Sequence, residues 1–310
     1  MYGNSIWDDI KWQFKYGSSL IRLILINIAV FIVINLVSLI LMFAQKQGSF
    51  ELTGWLSLYA LPERLLHRPW GLLTYMFVHE NFWHILWNMV GLYWFGQILQ
   101  DMIGKPKIVP LYLFGGIAGG LLYILAYNFF SIFSTVVADS SCIGASASVM
   151  AIVLAAATIA PNYELILFLI GPVKIKWIAL VYVILDLINI QNGNAGGHIA
   201  HLGGALFGYI YIKQLQNGND LGRIYYGVTD FFSNLFKKKP KLKVEYKKEY
   251  ASAYSNKQQG KQAGNTKDQK DSVGKQERLD AILDKINRSS YDSLSREEKD
   301  FLFKISQEKD

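Results

Sequence analysis

Polar side chains that could do chemistry are scarce in the apolar first two thirds of the chain; three short segments carry most of them, and Asp186 lies in a fourth. The first carries His79, His84 and Asn88, the second carries Ser146, and the third carries His201. A histidine that takes the proton of a serine hydroxyl makes that serine a nucleophile. Ser146 and His201 are therefore the candidate nucleophile and base of a Ser–His dyad.

Two other chemistries fit these residues less well than the dyad does. The run HENFWH at residues 79–84 resembles a zinc-binding HExxH motif, but its histidines are five residues apart and lie about 140° apart around a helix. Since a metal pair four residues apart lies about 40° apart, the spacing argues against zinc. A Ser–Lys dyad fails because no lysine occurs at the depth of Ser146 in the predicted spans.

His84 and Asn88 are four residues apart and share a helix face, so both can donate hydrogen bonds to an oxyanion. A Ser–His hydrogen bond also needs two helix backbones close together. Gly144 precedes the serine, and Gly204 and Gly208 form a small-xxx-small face below the histidine. These glycines predict close packing around the dyad.

Long apolar segments must position these residues. The chain has 310 residues, is 52% hydrophobic, and carries 21 of its 31 Lys and Arg at or after Lys213. A helix needs about 20 apolar residues to cross a membrane, so the composition excludes an ordinary soluble enzyme and predicts an all-α polytopic membrane protein with six spans. The predicted spans are Leu20–Ala44, Leu72–Leu99, Ile108–Phe130, Ala145–Ala160, Trp177–Ile190 and Ile199–Leu215.

Positive charge orients these spans, because Lys and Arg concentrate in cytoplasmic loops. Basic residues flank the N-terminal side of span 1, the connections between spans 2 and 3 and between spans 4 and 5, and the end of span 6. Both termini are therefore predicted to be cytoplasmic. This orientation, inferred without the polar residues, places Ser146, His201, His84 and Asn88 at one depth near the outer face.

Composition also predicts the domain organisation. A lysine-rich, polar stretch follows the spans, and its KKKPKLK run can bind anionic headgroups. Helical spacing returns near the end, where Ser295 and Glu298 form a capping box. The first outer loop is amphipathic and is predicted to lie in the membrane interface. The predicted regions are 1–19, a cytoplasmic segment; 20–216, the membrane domain; 217–275, a basic disordered linker; and 276–308, a small cytoplasmic helical hairpin.

Three segments carry a resemblance to the rhomboid family of intramembrane serine proteases. They are FVHENFWHILWNMVGLYWFG at 77–96, IGASAS at 143–148 and AHLGGALFG at 200–208. Their order, spacing and placement on spans 2, 4 and 6 match the family over about residues 20–215. The resemblance implies a six-helix rhomboid-like bundle in which the fifth span is a mobile gate, with no metal and no cofactor.

The resemblance also implies roles for single residues. Ser146 would be the nucleophile and His201 the general base and acid, in a dyad that requires no aspartate. His84 and Asn88 would support the oxyanion, and His79 would shape a water-accessible cavity. Judged from the residues alone, Asp186 could orient a histidine, but a structural or gate-polar role is favoured for it. For His198, one turn before His201, a structural or water-network role is favoured.

Three positions depart from the family pattern. Gly71 follows Trp70 where an arginine is common, Ala147 follows the nucleophile where glycine is frequent, and Met150 replaces an aromatic residue. These departures bear on rate and substrate preference more than on catalysis, because both dyad residues are present.

The sequence therefore predicts a serine endopeptidase that cleaves transmembrane segments near their outer face. Its partners would be single-pass membrane proteins and membrane lipids, with no nucleic acid, and its location a bacterial inner membrane. The alternative is a catalytically inactive rhomboid-like protein that binds membrane clients. A small-solute channel is disfavoured, because the polar groups stop at the outer half and the sequence shows no internal repeat.

Overall fold

The computed structural model describes residues 5–44, 52–236, 278–286 and 293–307. The chain is mostly helical over these residues and forms two units, Met1–Lys238 and Lys239–Asp310. The first unit contains every residue predicted to do chemistry.

The first unit is built from helices, the turns that join them and two short antiparallel strand pairs. Its helices are α1 (Ile6–Tyr16), α2 (Ser19–Phe43), α3 (Leu52–Leu56), α4 (Pro62–His67), α5 (Gly71–Thr74), α6 (Phe82–Ile103), α7 (Ile108–Phe129), α8 (Ser146–Ile159), α9 (Ile175–Asn189), α10 (Ala195–Gln216) and α11 (Arg223–Phe236). Single 3-10 turns lie at Tyr75–Phe77, Lys105–Lys107 and Ser131–Phe133. The strands are β1 (Leu58–Tyr59), β2 (Ser141–Cys142), β3 (Glu164–Leu167) and β4 (Gly171–Lys174), paired antiparallel as β1–β2 and β3–β4.

Each of the six predicted spans overlaps one of the longer helices, namely α2, α6, α7, α8, α9 and α10. By length and composition, two helical stretches in the described part of the chain are long and apolar enough to cross a membrane, Ser19–Phe43 and Lys105–Phe129. The 14-residue α8 is apolar but shorter. Six membrane crossings therefore remain a prediction.

The second predicted span is wrong at its start. From Gly71 the chain forms a four-residue helix, a 3-10 turn and a non-helical stretch, and α6 begins only at Phe82. Asn81 caps this helix, because its side chain accepts a hydrogen bond from the His84 N–H at 2.9 Å. The cap lies inside a hydrophobic run, which is why hydropathy alone merged the two parts.

The sixth span begins earlier than predicted. Helix α10 starts at Ala195, after Asn194, which has φ +47° and accepts a hydrogen bond from the Gly197 N–H. His201 therefore lies in the second turn of its helix, and His198 lies in the first.

Helices α7, α8 and α10 meet through small residues. A Cβ added at Gly119 would lie 2.7 Å from the Ala147 Cβ, and one added at Gly204 would overlap the Ala147 carbonyl oxygen. Gly208 meets Ala151 in the same way one turn further along. The helix backbones are therefore in direct contact, as the small-residue spacing predicted.

The first loop is tied to the segment that leads into α8. Strand β1 pairs with β2, with Leu58 opposite Cys142. Residues 45–51 of that loop lie outside the described residues. The β1–β2 pair fixes the chain four residues ahead of Ser146.

The predicted disordered linker is wrong over its first part, because α11 occupies Arg223–Phe236. Apolar side chains on this helix, including Phe231, Phe232 and Leu235, are exposed. Residues 237–277, including the KKKPKLK run, lie outside the described residues.

The second unit contains helix α12 (278–286) and helix α13 (Arg296–Gln307). The capping box is confirmed, since the Glu298 carboxylate accepts from the Ser295 N–H at 2.7 Å and the Ser295 hydroxyl accepts from the Glu298 N–H at 3.3 Å. Lys285 pairs with Glu298 across the two helices at 2.9 Å. The cytoplasmic location of this pair remains a prediction.

Replacing Gly204 by alanine should destabilise the first unit by about 1–3 kcal/mol, because the new methyl group would push the Ala147 backbone away from α10. Thermal unfolding in detergent measures this. Gly227→Ala is the matched control, since a Cβ there meets nothing within 4 Å and alanine favours the α11 helix. Equal midpoints for both variants would contradict this close packing.

The turn after α10 is held by Asp220, which pairs with Lys107 at 3.0 Å and accepts a hydrogen bond from the Gly222 N–H at 2.8 Å. Burial raises the pKa of this carboxyl, but these partners outweigh burial and hold the pKa below its usual value. Its stabilisation is therefore present above the ordinary carboxyl pKa and is lost as pH falls through the lowered one.

Asp220→Asn should accordingly lower the midpoint of thermal unfolding at pH 7, and the difference from wild type should shrink as the medium is made acidic. Asp230→Asn, on an exposed face of α11, is the control and should shift the midpoint little at either pH. A deficit of Asp220→Asn that stays constant across the acidic range would contradict this linkage.

Candidate active site

Ser146 is the first residue of α8, and the loop before it is fixed by backbone contacts. The Gly144 N–H donates to the Tyr75 carbonyl at 2.9 Å, while the Tyr75 hydroxyl donates to the Gly116 carbonyl of α7 at 2.6 Å. Gly144 has φ +127°, a conformation that L side chains rarely adopt. This bend places Ser146 at the start of α8. The first backbone N–H groups of a helix have no hydrogen-bond partner within that helix.

Ser146 and His201 are brought together as predicted. The Ser146 Oγ lies 2.6 Å from the His201 Nε2. The contact joins the start of α8 to the second turn of α10. It lies next to the close approach of Gly204 to Ala147. Residues 55 positions apart therefore form the nucleophile–base pair that Ser–His chemistry requires.

A carboxylate that was expected to be structural lies on the other side of the base. Asp186 Oδ1, on α9, is 2.8 Å from the His201 Nδ1 and also 2.8 Å from the His198 Nδ1. Asp186 is only 6% exposed. Its second oxygen, Oδ2, is buried without a hydrogen-bond partner among the described residues.

This carboxylate decides which ring nitrogen of His201 carries the proton. An ionised carboxylate only accepts hydrogen bonds, so the Nδ1 of His201 must be protonated to donate to Asp186. In the neutral ring Nε2 is then an acceptor, and the Ser146 hydroxyl donates to it. The geometry is a Ser–His–Asp line in which Asp186 fixes the tautomer that a general base needs.

His84 faces Ser146 across Gly144. A Cβ added at Gly144 would lie 2.8 Å from the His84 Nε2 and 3.4 Å from the Ser146 Oγ. Only a residue without a side chain leaves this space open. Glycine is therefore required at position 144 for two reasons, the positive φ of its backbone and the lack of room for a Cβ. An anionic oxygen formed beside Ser146 would lie in the same space, within reach of His84.

Asn88 and His79 surround His84. Asn88 lies one turn along α6, is buried, and donates one amide hydrogen to the His84 carbonyl at 2.8 Å. His79 precedes α6 and is 3% exposed, with its ring 5.2 Å from that of His84 and with both nitrogens buried without a partner among the described residues. Asn88 lines the cavity that opens onto Ser146, whereas His79, expected to shape it, is not among the lining residues and packs edge-to-face against the ring of His84.

A cavity of about 540 Å³ opens onto the dyad. Its lining comes from four helices and includes Trp87 of α6, Val149 of α8, Tyr182 of α9 and Gly197 of α10, together with Ser146 and His201. Trp87 and Tyr182 are exposed at its edge. Helices α6 and α9 thus flank an approach to Ser146.

The three departures from the expected motifs fit the structure. A Cβ at Gly71 would lie 2.6 Å from the Ser57 carbonyl oxygen, so glycine is needed where the chain passes that backbone. Ala147 lies in α8 and is not among the described residues with positive φ, so it does not require glycine. Met150 is buried and lines the cavity.

Sequence analysis ranked the orientation of a histidine by Asp186 below a structural role, and it did not predict that this carboxylate contacts both His198 and His201. An ionisable residue in an apolar span is a functional signal by itself. His198 and His201, three residues apart on one helix face, are the matching donors. The signal was visible, but the distance between α9 and α10 follows only from the packing of the bundle.

Comparison with known proteins points to one family. Residues 66–216 match the family described as "Rhomboid domain". The chain is 31% identical over 156 residues to RHOMBOID-like protein 12, mitochondrial, of Arabidopsis thaliana, covering 47% of this chain and 46% of that protein. It is 28% identical over 144 residues to Rhomboid protein 1, mitochondrial, of Saccharomyces cerevisiae, covering 44% and 38%. It is 29% identical over 110 residues to Inactive RHOMBOID-like protein 8 of Arabidopsis thaliana, covering 36% and 31%.

The matched stretch spans less than half the length of each of these relatives. Two of them are named as mitochondrial and one as inactive. These names give no support to the expected bacterial inner membrane.

Asp186→Asn should lower the rate at which Ser146 reacts with a fluorophosphonate by about 10²- to 10⁴-fold, because a neutral amide cannot stabilise the charged imidazolium. Rates of covalent labelling measure this in detergent. Asp139→Asn is the matched control, since that exposed carboxylate pairs with Arg64 and not with a histidine. A wild-type labelling rate for Asp186→Asn would show that the carboxylate does not position His201.

Proposed function

Since the chain belongs to the rhomboid family of membrane proteins, we propose that it is an intramembrane serine endopeptidase. The observation that carries the proposal is the 2.6 Å contact between the Ser146 Oγ and the His201 Nε2, with Asp186 on the opposite ring nitrogen. The enzyme cleaves transmembrane segments of single-pass proteins near the outer face of the membrane.

The first half of the reaction acylates Ser146. His201 Nε2 takes the hydroxyl proton as Oγ attacks the scissile carbonyl carbon, and Asp186 stabilises the imidazolium that forms. The carbonyl oxygen becomes an oxyanion beside Gly144. His84, the second amide hydrogen of Asn88 and the N–H groups at the start of α8 stabilise it.

His201 then donates its proton to the leaving amine, which releases the first product and leaves an acyl-enzyme on Ser146. Water attacks this ester with His201 again as base, and the second product leaves. Peptide hydrolysis consumes one water, so the cavity between α6 and α9 must admit it. No step requires a metal or an organic cofactor, because the nucleophile, base and oxyanion donors are all side chains or backbone groups of this chain.

Substrate reaches Ser146 between α6 and α9. Helix α9 carries exposed apolar side chains along much of its length, including Val181, Leu185 and Ile188. Three of the described residues of α9 are buried. Asp186 lies in its outer half, and Ile175 and Ala179 lie near its other end. A helix held in this way can move aside as the gate, and a substrate must unwind locally to expose a carbonyl.

The membrane arrangement proposed here has six spans, α2, α6, α7, α8, α9 and α10, with both termini in the cytoplasm. Helix α8 is about 21 Å long at 1.5 Å per residue, shorter than the roughly 30 Å hydrocarbon core. Ser146 therefore lies below the outer surface, at a depth that a transmembrane segment reaches directly. We keep the bacterial inner membrane as a prediction that membrane fractionation tests.

A second candidate function is client binding without catalysis, favoured by the one relative named inactive. It predicts the same groove between α6 and α9 but no covalent chemistry at Ser146. The two functions differ in a single measurable property, the nucleophilicity of that serine.

Fluorophosphonate labelling of the detergent-solubilised protein tests the proposal. Wild type should label, and Ser146→Ala and His201→Ala should both lose labelling, because the first removes the nucleophile and the second removes its base. His67→Ala is the matched control, since that exposed histidine contacts the Glu63 carbonyl away from the site. The labelled wild type should also cleave a transmembrane substrate in proteoliposomes.

Labelling that survives in Ser146→Ala would move the nucleophile to another residue. Absence of both labelling and cleavage in folded wild type would favour client binding.

A further inference from the structure

The cluster of His198, His201 and Asp186 could bind a metal ion in addition to orienting the base. The two Nδ1 atoms and the carboxylate offer three ligand atoms that all lie within 4.8 Å of one another. Two imidazole nitrogens and one carboxylate are a ligand set that suits Zn²⁺ and its neighbours among the transition metals.

The geometry is close to what a tetrahedral ion needs. Zn²⁺ binds imidazole nitrogen and carboxylate oxygen at about 2.0–2.2 Å, which sets its ligands roughly 3.3 Å apart. Both Nδ1 atoms already converge on one point, the Asp186 Oδ1, each at 2.8 Å. An ion bound here would replace the two hydrogen bonds between these nitrogens and Oδ1 by metal–ligand bonds, and a rotation of the carboxylate breaks no hydrogen bond at Oδ2, which has no partner among the described residues.

The site can be reached from the cavity. Asp186 and His201 line it, and the side chains of His198 and His201 are 22% and 21% exposed. Since the ligands come from α9 and α10, a small displacement of α9 adjusts the space between them. An ion can therefore enter from the same side as substrate.

We propose that this trio is an inhibitory site for Zn²⁺ or a similar transition-metal ion. The proposal rests on the proposed function, since what the ion blocks is the basicity of His201. An ion on the Nδ1 lone pair requires the ring proton to move to Nε2. Nε2 then donates to Ser146 and cannot accept its proton, so Ser146 stays a neutral hydroxyl.

His198 is the residue that sets this site apart from an ordinary Ser–His–Asp line. Without it, the ion would have one imidazole and one carboxylate, too few protein ligands for tight binding. The chain has five histidines, and His79 and His84 form a second nearby pair. That pair is the rival location, and the test must separate the two.

The first measurement is the labelling rate of wild-type Ser146 against increasing ZnCl₂. Saturating Zn²⁺ should lower the rate by about 10-fold or more, EDTA should restore it, and Mg²⁺ should have no effect because it prefers oxygen ligands. His198→Asn keeps an N–H donor for Asp186 but removes the imidazole. Relative to its own metal-free rate, it should need at least about 10-fold more Zn²⁺ for half-inhibition.

His67→Ala should keep the wild-type zinc response, since that histidine lies outside the trio. Equal inhibition of wild type and His198→Asn would overturn the proposal. So would inhibition that disappears in His79→Phe but not in His198→Asn, because it would place the ion on the rival pair.

A second readout needs no activity. Co²⁺ bound by two imidazoles and a carboxylate gives visible d–d absorption, so the Ser146→Ala protein should develop these bands. The double variant Ser146→Ala/His198→Asn should not. Failure of wild type to label would count against the proposed function alone, while failure of the Co²⁺ bands to appear or to depend on His198 would count against the metal site.

Discussion

The direct contact between the backbones of α8 and α10 is the constraint on which the site depends. Gly204 lies against the Ala147 carbonyl, and Ala147 is the residue next to Ser146. Side chains as short as serine and histidine meet across two helices only when the helix axes are close. The small residues of α7 complete this arrangement by allowing Gly119 to approach Ala147. The 2.6 Å distance between the Ser146 Oγ and the His201 Nε2 is thus a consequence of where these glycines lie.

The site combines rigid and weakly held parts. Ser146, His201 and Gly144 belong to the tightly packed centre of the bundle. Asp186, in contrast, is supplied by α9, whose side chains are mostly exposed. The group that fixes the tautomer of the base is therefore carried by the helix beside the approach to the cavity. Under the proposed function, access for a substrate and orientation of the base are linked through one carboxylate.

Local patterns predicted much of this structure. The six hydrophobic segments each overlap a helix, the glycine spacing predicted the α8–α10 contact, and Ser295 with Glu298 marked the start of α13. The predictions were wrong where the residue that starts a helix was not recognised, or where the contact depended on a residue far away in the sequence. Asn81 caps α6 inside an apolar run, Asn194 starts α10 four residues early, and α11 occupies part of the predicted linker. The role of Asp186 depends on how two neighbouring helices pack, which no local pattern encodes.

The partnership of Asp186 has a consequence for how the chain is made. A charged residue in a transmembrane helix is costly to insert, by about 2.5–3.5 kcal/mol at the helix centre, and in the proposed topology Asp186 lies in the outer half of such a helix. The hydrogen-bond donors that offset this cost, His198 and His201, belong to α10, which is synthesised after α9. In the proposed topology, α9 and α10 are adjacent spans. Release of the two helices into lipid as a hairpin would then supply Asp186 with its partners, whereas release of α9 alone would leave this carboxylate without them.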